Sequence, residues 1–292
     1  MTTGTPIDFK KIARQLTLVE NDLPGSADIL KALRFENDVP VIGITGPPGA
    51  GKSTLVNAII TGLLKQQKKI AVLAVDPTSP FNLGSLLGDR IRMATHFNNP
   101  NIFIRSIATR GAVGGLSIKT IEMADVLRAG GFDYVFVETV GVGQSEIDIA
   151  GLADVTIVVL VPEAGDEIQH IKSGLMEIAD VFIVNKCDRD GADTFAGNVK
   201  KMVSQKHGAI PVFKTNALNN IGIDEVANYL VAANSKINNK KVYLLTEKVY
   251  RLIQHHKMAS VNKTKLQQLI AGALLDTNFN IYQFAETFNG HS

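Results

Sequence analysis

The sequence predicts an α/β fold: a doubly wound, mainly parallel sheet with helical N- and C-terminal extensions. Two observations predict it. Seven short β-branched runs alternate with longer amphipathic stretches: 41-VIGIT-45, 70-IAVLAV-75, 102-IFIRSI-107, 134-YVFVET-139, 155-VTIVVLV-161, 181-VFIV-184 and 211-PVF-213. Most of these runs are apolar throughout instead of alternating, the pattern of a strand covered on both faces. Strands separated by helices imply crossover connections, which make neighbouring strands parallel.

The elements follow in chain order. Residues 7–37 form a helical lead-in: Ile12, Leu16 and Val19 recur at helical spacing, Pro24-Gly25 break the run, and Ala27 to Phe35 resume it. Pro40 then punctuates, and the strand-and-helix alternation occupies 40–232. Beyond it, 234-NSKINNKK-241 reads as a linker. Leu244, Val249 and Leu252, then Leu266, Leu269, Ile270 and Leu274, suggest two or three helices without a sheet. The expected organisation is a helical N-terminal extension over 1–39, an α/β domain over 40–232 and a helical arm over 233–292, with no internal repeat.

Composition excludes several classes. The 292 residues are 45% hydrophobic and 20% charged, with 25 Gly and 10 Pro, which is ordinary for a folded domain and unlike a disordered or collagenous chain. The longest apolar runs are too short to span a bilayer. Residues 1–20 carry Asp8 and Glu20 and lack the apolar core of a secretion signal, so the expectation is a cytoplasmic protein with no membrane partner. Cys187 is the single cysteine, so neither an internal disulfide nor a cysteine zinc site is available; it reads as a small buried residue. Residues 235–292 hold eight Lys/Arg against Glu247, Asp276 and Glu286. These charges lie among apolar residues at helical spacing, a solvated helix face and not a nucleic-acid surface.

The first strand runs into 46-GPPGAGKST-54, which matches G-x-x-x-x-G-K-[ST]. Gly46, Gly49 and Gly51, with Ala50, let backbone N–H groups turn inward on a β-phosphate, while Pro47 and Pro48 stiffen the loop. Lys52 supplies a point charge between the β- and γ-phosphates, Ser53 is a ligand for Mg²⁺, and the helix from Thr54 directs its positive end at the anion. In this strand–loop–helix context the motif marks a P-loop nucleoside triphosphate site.

The base is read further on. The sixth strand ends in 185-NKCD-188, an N-K-x-D pattern. Asp188 accepts both N–H donors on the Watson–Crick edge of guanine, which adenine does not present, so GTP and GDP are expected over adenine nucleotides. Asn185 reaches the base, and the Lys186 stem packs along the ring. A second base-side loop is expected at 215-TNA-217, Thr215 to Ala217 through Asn216, with the Ala217 N–H toward the guanine carbonyl.

The metal and the γ-phosphate are assigned to 134-YVFVETVGVG-143. Glu138 sits at a strand end and holds Mg²⁺ directly or through water, and Gly141 presents its N–H to the γ-phosphate. Asp76, ending the second strand, points to the same crevice, and Asp89 is a candidate for swinging onto the metal. The expected catalytic set is Lys52, Glu138 and Gly141. Val142 stands where a Ras-like GTPase carries a water-orienting Gln, so slow intrinsic hydrolysis is expected. Lys119, Arg90, Arg92 and Arg110 are the candidate cations for charge stabilisation.

Between the motifs, 75-VDPTSPFNLGSLLGDRIRM-93, 105-RSIATRGAVGGLS-117, 138-ETVGVGQSE-146 and 162-PEAGDEIQHIKSGLMEIAD-180 closely resemble the MeaB/ArgK/MMAA family of G proteins, within the wider class of metal- and cofactor-centre maturation GTPases. The resemblance covers about 40–232, and 278-NFNIYQFAETF-288 is similar to that family's closing helix. It implies a GTP-dependent chaperone of an adenosylcobalamin-dependent acyl-CoA mutase, typically methylmalonyl-CoA mutase, that gates cobalamin loading and protects the enzyme. It also implies a homodimer formed through the C-terminal arms, and a third loop, 163-EAGDEIQHIKSG-174, in which Asp166 and Lys172 signal the nucleotide state. Leu83 departs from the glycine common in that family's switch loop. Three other readings stand beside this one. The first is a nickel metallochaperone, which His255-His256 and one cysteine support poorly. The second is a transport-linked ATPase or kinase, which the N-K-x-D pattern disfavours. The third is a nucleotide-sensing scaffold without useful turnover.

Overall fold

The computed structural model describes residues 6–35, 38–76, 93–96, 98–108, 117–139, 148–163, 175–206, 210–233, 241–258, 260–274 and 279–288. All seven expected strands form, each within one residue of its expected ends: β1 (Val41–Thr45), β2 (Ile70–Asp76), β3 (Ile102–Ala108), β4 (Tyr134–Glu138), β5 (Val155–Leu160), β6 (Val181–Val184) and β7 (Val212–Lys214). They build one sheet in the order β3-β2-β4-β1-β5-β6-β7. Every pairing between these strands is parallel. Strand order reverses about β1, so the crevice at its carboxyl end is the topological switch point of the sheet.

Helices precede, connect and follow the strands. Those of seven residues or more are α1 (Phe9–Glu20), α2 (Ser26–Ala32), α3 (Lys52–Lys65), α4 (Ile118–Arg128), α5 (Ala192–Lys206), α6 (Ile223–Ala233), α7 (Lys241–Met258), α8 (Lys263–Ala273) and α9 (Ile281–Thr287). Of the expected linker, Lys241 already belongs to α7, and residues 234–240 lie outside the described residues. The chain forms two compact units, Met1–Leu244 and Leu245–Ser292.

Alternation along each strand feeds two faces, although both are apolar. Ile42 and Ile44 of β1 join Ile157 and Val159 of β5 in a core with α3 and α6. Val41, Leu73 and Val135 face the other way, onto α1 and α4. On that second side, Val158, Leu160, Phe182 and Val184 pack under Phe195 and Val199 of α5. This two-sided burial is why β1, β4, β5 and β6 are buried at every position and read as continuous apolar runs.

The first helix is part of this core. Asp8 caps α1 by accepting from the Lys11 N–H at 2.9 Å, and Ile12, Leu16 and Val19 are buried beneath it. Its far end is pinned by charge: Arg105 of β3 meets Glu20 at 2.6 Å, and Lys119 of α4 meets Asp22 at 2.5 Å.

The amino edge of the sheet repeats one device three times. Asp133, Asp154 and Asp180 each stand immediately before a strand. Each accepts, through its carboxylate, the backbone N–H of a residue on a neighbouring strand or just before it: Lys69 at 2.7 Å, Val41 at 2.8 Å and Thr156 at 2.9 Å. The backbone N–H of each aspartate returns a bond to the same residue's carbonyl, at 2.7, 2.8 and 2.9 Å. The pair of bonds fixes register where a parallel ladder begins.

Replacing Asp154 with Ala removes the partly buried carboxylate that receives the first N–H of β1. The expected cost is about 1–2 kcal/mol, seen as a fall in melting temperature of about 2–6 °C. Asp133, which is exposed, should cost less. Equal melting of Asp154→Ala and the parent would show that the bond carries no net stability.

Candidate functional site

The phosphate loop links β1 to α3. Gly46 has φ +141°, and a Cβ there would lie 2.2 Å from the carbonyl oxygen of Val159 on β5, so the chain leaves β1 in a space that admits no side chain. Gly51 has φ +81°, and its Cβ would lie 2.7 Å from Asn185 Nδ2. Pro48 and Gly49 are exposed at the loop's crest, Pro47 and Thr54 are half-buried, and Ala50 is buried. Lys52 is 8% exposed. Its ammonium donates to the carbonyls of Gly46 at 2.8 Å and Pro47 at 3.0 Å, so the cation is already held over the loop that would receive an anion. The first turn of the 14-residue α3 presents its backbone N–H groups and positive dipole end to the same place.

Glu138 comes from the neighbouring strand, where it is in register with Ile44. Ser53 Oγ donates to Glu138 Oε1 at 2.6 Å, and both residues are buried. The pair fits Mg²⁺: both donors are hard oxygens, one carries negative charge, and a hydroxyl that donates to a carboxylate keeps a lone pair for a cation. Asp76 ends β2, in register with Ala108, and its side chain lies outside the description. Asp89 and Gly141 lie outside the described residues, as do Leu83, Arg90, Arg92, Arg110, Val142, Asp166 and Lys172. Among the described residues no group of three or more His, Cys, Asp or Glu is arranged to hold a metal ion.

Asn185 joins the phosphate side to the base side. Its Nδ2 donates to the Ala50 carbonyl at 2.9 Å, while its Oδ1 accepts from Thr215 Oγ1 at 3.1 Å and from the Ala217 N–H at 3.2 Å. The amide thus bridges the two loops, and Thr215 is fully buried beneath them. Asn216 closes the following turn through a two-way bridge with Ile221 and accepts the Asn219 N–H on its Oδ1 at 3.2 Å. Lys186 adopts φ +56°, an uncommon conformation for a residue with a side chain. This bend lets the Cys187 N–H donate to the Thr215 carbonyl at 2.9 Å and leaves Asp188 exposed beyond it. Cys187 is half-buried, not buried as its small size suggested, because it belongs to that loop and not to β6.

Lys119 is committed elsewhere. It pairs with Glu122 at 2.7 Å as well as with Asp22. Burial pulls its pKa down, but hydrogen bonds and attraction from those two carboxylates outweigh burial and leave it above the usual lysine value.

Two features of the site carry no motif signature. Thr45 and Thr139 are buried with their hydroxyls 3.2 Å apart, beside the phosphate loop and Glu138 respectively. Their sequence signal is a polar residue ending each of two apolar runs, 41-VIGIT-45 and 134-YVFVET-139.

The family model for methylmalonyl-CoA mutase-associated GTPase MeaB matches residues 12–271. A Pyrococcus horikoshii relative is 47% identical over 227 residues, covering 75% of this chain and 72% of that protein. The mitochondrial methylmalonic aciduria type A homolog of Mus musculus is 44% identical over 149 residues, covering 51% of this chain and 36% of that protein. A solved LAO/AO transport system kinase superposes with a TM-score of 0.65 at 26% identity, over 93% of this chain and 83% of that one. A match that begins inside α1 and ends inside α8 takes in the site and both flanks of the sheet: the chain belongs to the MeaB family of methylmalonyl-CoA mutase-associated GTPases.

Proposed function

We propose that this GTPase gates cofactor loading and protection of an adenosylcobalamin-dependent acyl-CoA mutase of the methylmalonyl-CoA type. The observation that carries this reading is the match to a mutase-associated GTPase family over residues 12–271. A mouse relative named for methylmalonic aciduria supports it.

At the site, the backbone N–H groups of residues 49–54, which include the α3 terminus, bind the phosphates, and Lys52 exchanges the carbonyls of Gly46 and Pro47 for phosphate oxygens. Ser53 and Glu138 hold Mg²⁺, which when bound neutralises charge on the phosphates. Asp188 accepts the paired donors of guanine, and Asn185 keeps the base loops at a set distance from the phosphate loop. In this reading Gly141 senses the γ-phosphate, Asp76 and Asp89 complete the metal surroundings, and Asp166 and Lys172 report the nucleotide state to the mutase. Among the described residues no helix is long and apolar enough to cross a membrane.

The C-terminal arm is proposed to pair with a second copy. Val249, Tyr250, Ile253 and Met258 of α7 are each more than half exposed, and α8 and α9 bury none of their residues. An apolar stripe of that kind marks an association surface.

Three outcomes are expected. Asp188→Asn should bind GTP about 100-fold more weakly, a loss of about 2–3 kcal/mol for a charge-assisted pair. It should gain affinity for xanthosine triphosphate, whose C2 carbonyl accepts from the new amide; unchanged GTP affinity by calorimetry would remove the guanine assignment. Steady-state hydrolysis should be slow, specific for GTP over ATP, and raised many-fold by an adenosylcobalamin-dependent mutase from the same source. An unchanged rate with no complex formed would remove the client while leaving the GTPase. By light scattering the parent should have twice the mass of one chain, and the double substitution Val249→Asp, Ile253→Asp should halve it; a monomeric parent would rule out the arm as a dimer surface.

A further inference from the structure

The Glu138 carboxylate is followed directly by a buried pair of hydroxyls that joins β4 to β1. The Thr139 N–H donates to the Ile44 carbonyl at 3.0 Å, extending the β1–β4 ladder by one residue. The Thr139 hydroxyl has one proton and two acceptors, the Ile44 carbonyl and Thr45 Oγ1, each at 3.2 Å. Thr139 is 2% exposed and Thr45 is fully buried. A buried hydroxyl costs free energy unless it is bonded, and valine would fill the same volume without that cost. Filling the core therefore does not account for two facing threonines at this edge.

Their placement does. Thr45 is the residue before Gly46, where the phosphate loop begins, and Thr139 is the residue after Glu138. The hydroxyl pair thus ties the root of the loop that leads into α3 and Ser53 to the root of the carboxylate that Ser53 meets at 2.6 Å. Ser53 and Glu138 sit on different elements, α3 and β4, so their separation is set by whatever fixes those two roots to each other. We propose that Thr139 is a positioning residue for the divalent cation: with Thr45, its hydroxyl holds Glu138 at the depth where carboxylate and Ser53 hydroxyl face one ion. Groups that orient a metal ligand without touching the metal commonly tune its affinity by about 10–100-fold. This inference rests on the GTP–Mg²⁺ reading above.

The test uses the full chain and the variants Thr139→Val and Thr139→Ser. Fluorescent GTP binding is titrated with Mg²⁺, GDP binding is measured in EDTA, and melting is recorded for each. Thr139→Val should need about tenfold more Mg²⁺ for half-maximal GTP binding. Its metal-free GDP affinity should stay at the parent value, and Thr139→Ser should restore the Mg²⁺ dependence. A parent-like Mg²⁺ dependence in Thr139→Val would overturn the proposal, as would parallel losses of Mg²⁺ dependence and metal-free GDP affinity. If Thr139→Val does not fold, Thr45→Val removes the other hydroxyl and must show the same selective shift. A parent that binds no GTP would overturn the nucleotide reading, and one that binds GTP without any Mg²⁺ dependence would overturn the Mg²⁺ reading; a Mg²⁺-dependent parent with an unaltered valine variant would overturn only the role of Thr139.

Discussion

Seven parallel strands leave all their carboxyl ends on one edge, and the site depends on that constraint. Thr45, Glu138 and Asn185 end or directly follow β1, β4 and β6, and Thr215 follows β7. They are distant in sequence and adjacent at the edge because the order β4-β1-β5-β6-β7 places these strands side by side. The amino edge does the complementary work. Asp133, Asp154 and Asp180 start the ladders in register, so the far ends arrive at set heights. A slip in any one ladder would move a loop root by a residue and separate groups that now lie within hydrogen-bond distance.

The polar groups at the edge hold one another. Lys52 is bound by two carbonyls of its own loop, Ser53 by Glu138, and Asn185 by three partners on two loops. Buried polar groups need such partners; in the proposed reading, phosphate and cation take over those of Lys52 and Ser53, while Asn185 keeps its own. Binding can then exchange one set of bonds for another with little rebuilding of the backbone, the condition under which preorganised donors act most strongly on phosphate.

Much of this was legible in the sequence, for a physical reason. Strands buried on both faces read as continuous apolar runs, so all seven emerged, and the phosphate loop announced itself because backbone close approach at Gly46 and Gly51 demands glycine. What a linear reading blurs is which partner a polar side chain takes. Asn185 suggested contact with the base, and nothing in the sequence signalled that its amide would also join Ala50, Thr215 and Ala217. Cys187 suggested burial, yet it lies on a loop. Thr45 and Thr139 belong to no motif, since their meaning arises only when β1 and β4 lie side by side. The three aspartates likewise form no spaced pattern, because the strands they precede are separated by unequal stretches of chain.

The cations show how sequence candidates sort once packing is known. Lys119 is a reasonable group for stabilising charge in hydrolysis, but Asp22 and Glu122 already hold it, and their attraction keeps its pKa raised against the pull of burial. Moving it to a phosphate would leave Glu122, 7% exposed, without that partner, which is costly for a buried charge. Lys119 with Arg105 instead fastens the end of α1 to α4 and β3. Val142 occupies the place of the glutamine that orients water in Ras-like proteins. Charge stabilisation supplied by a partner is worth about 10³–10⁵ in rate for P-loop GTPases. In the proposed reading, where the mutase raises the rate of hydrolysis, a lysine committed to structure leaves that charge to be supplied from elsewhere.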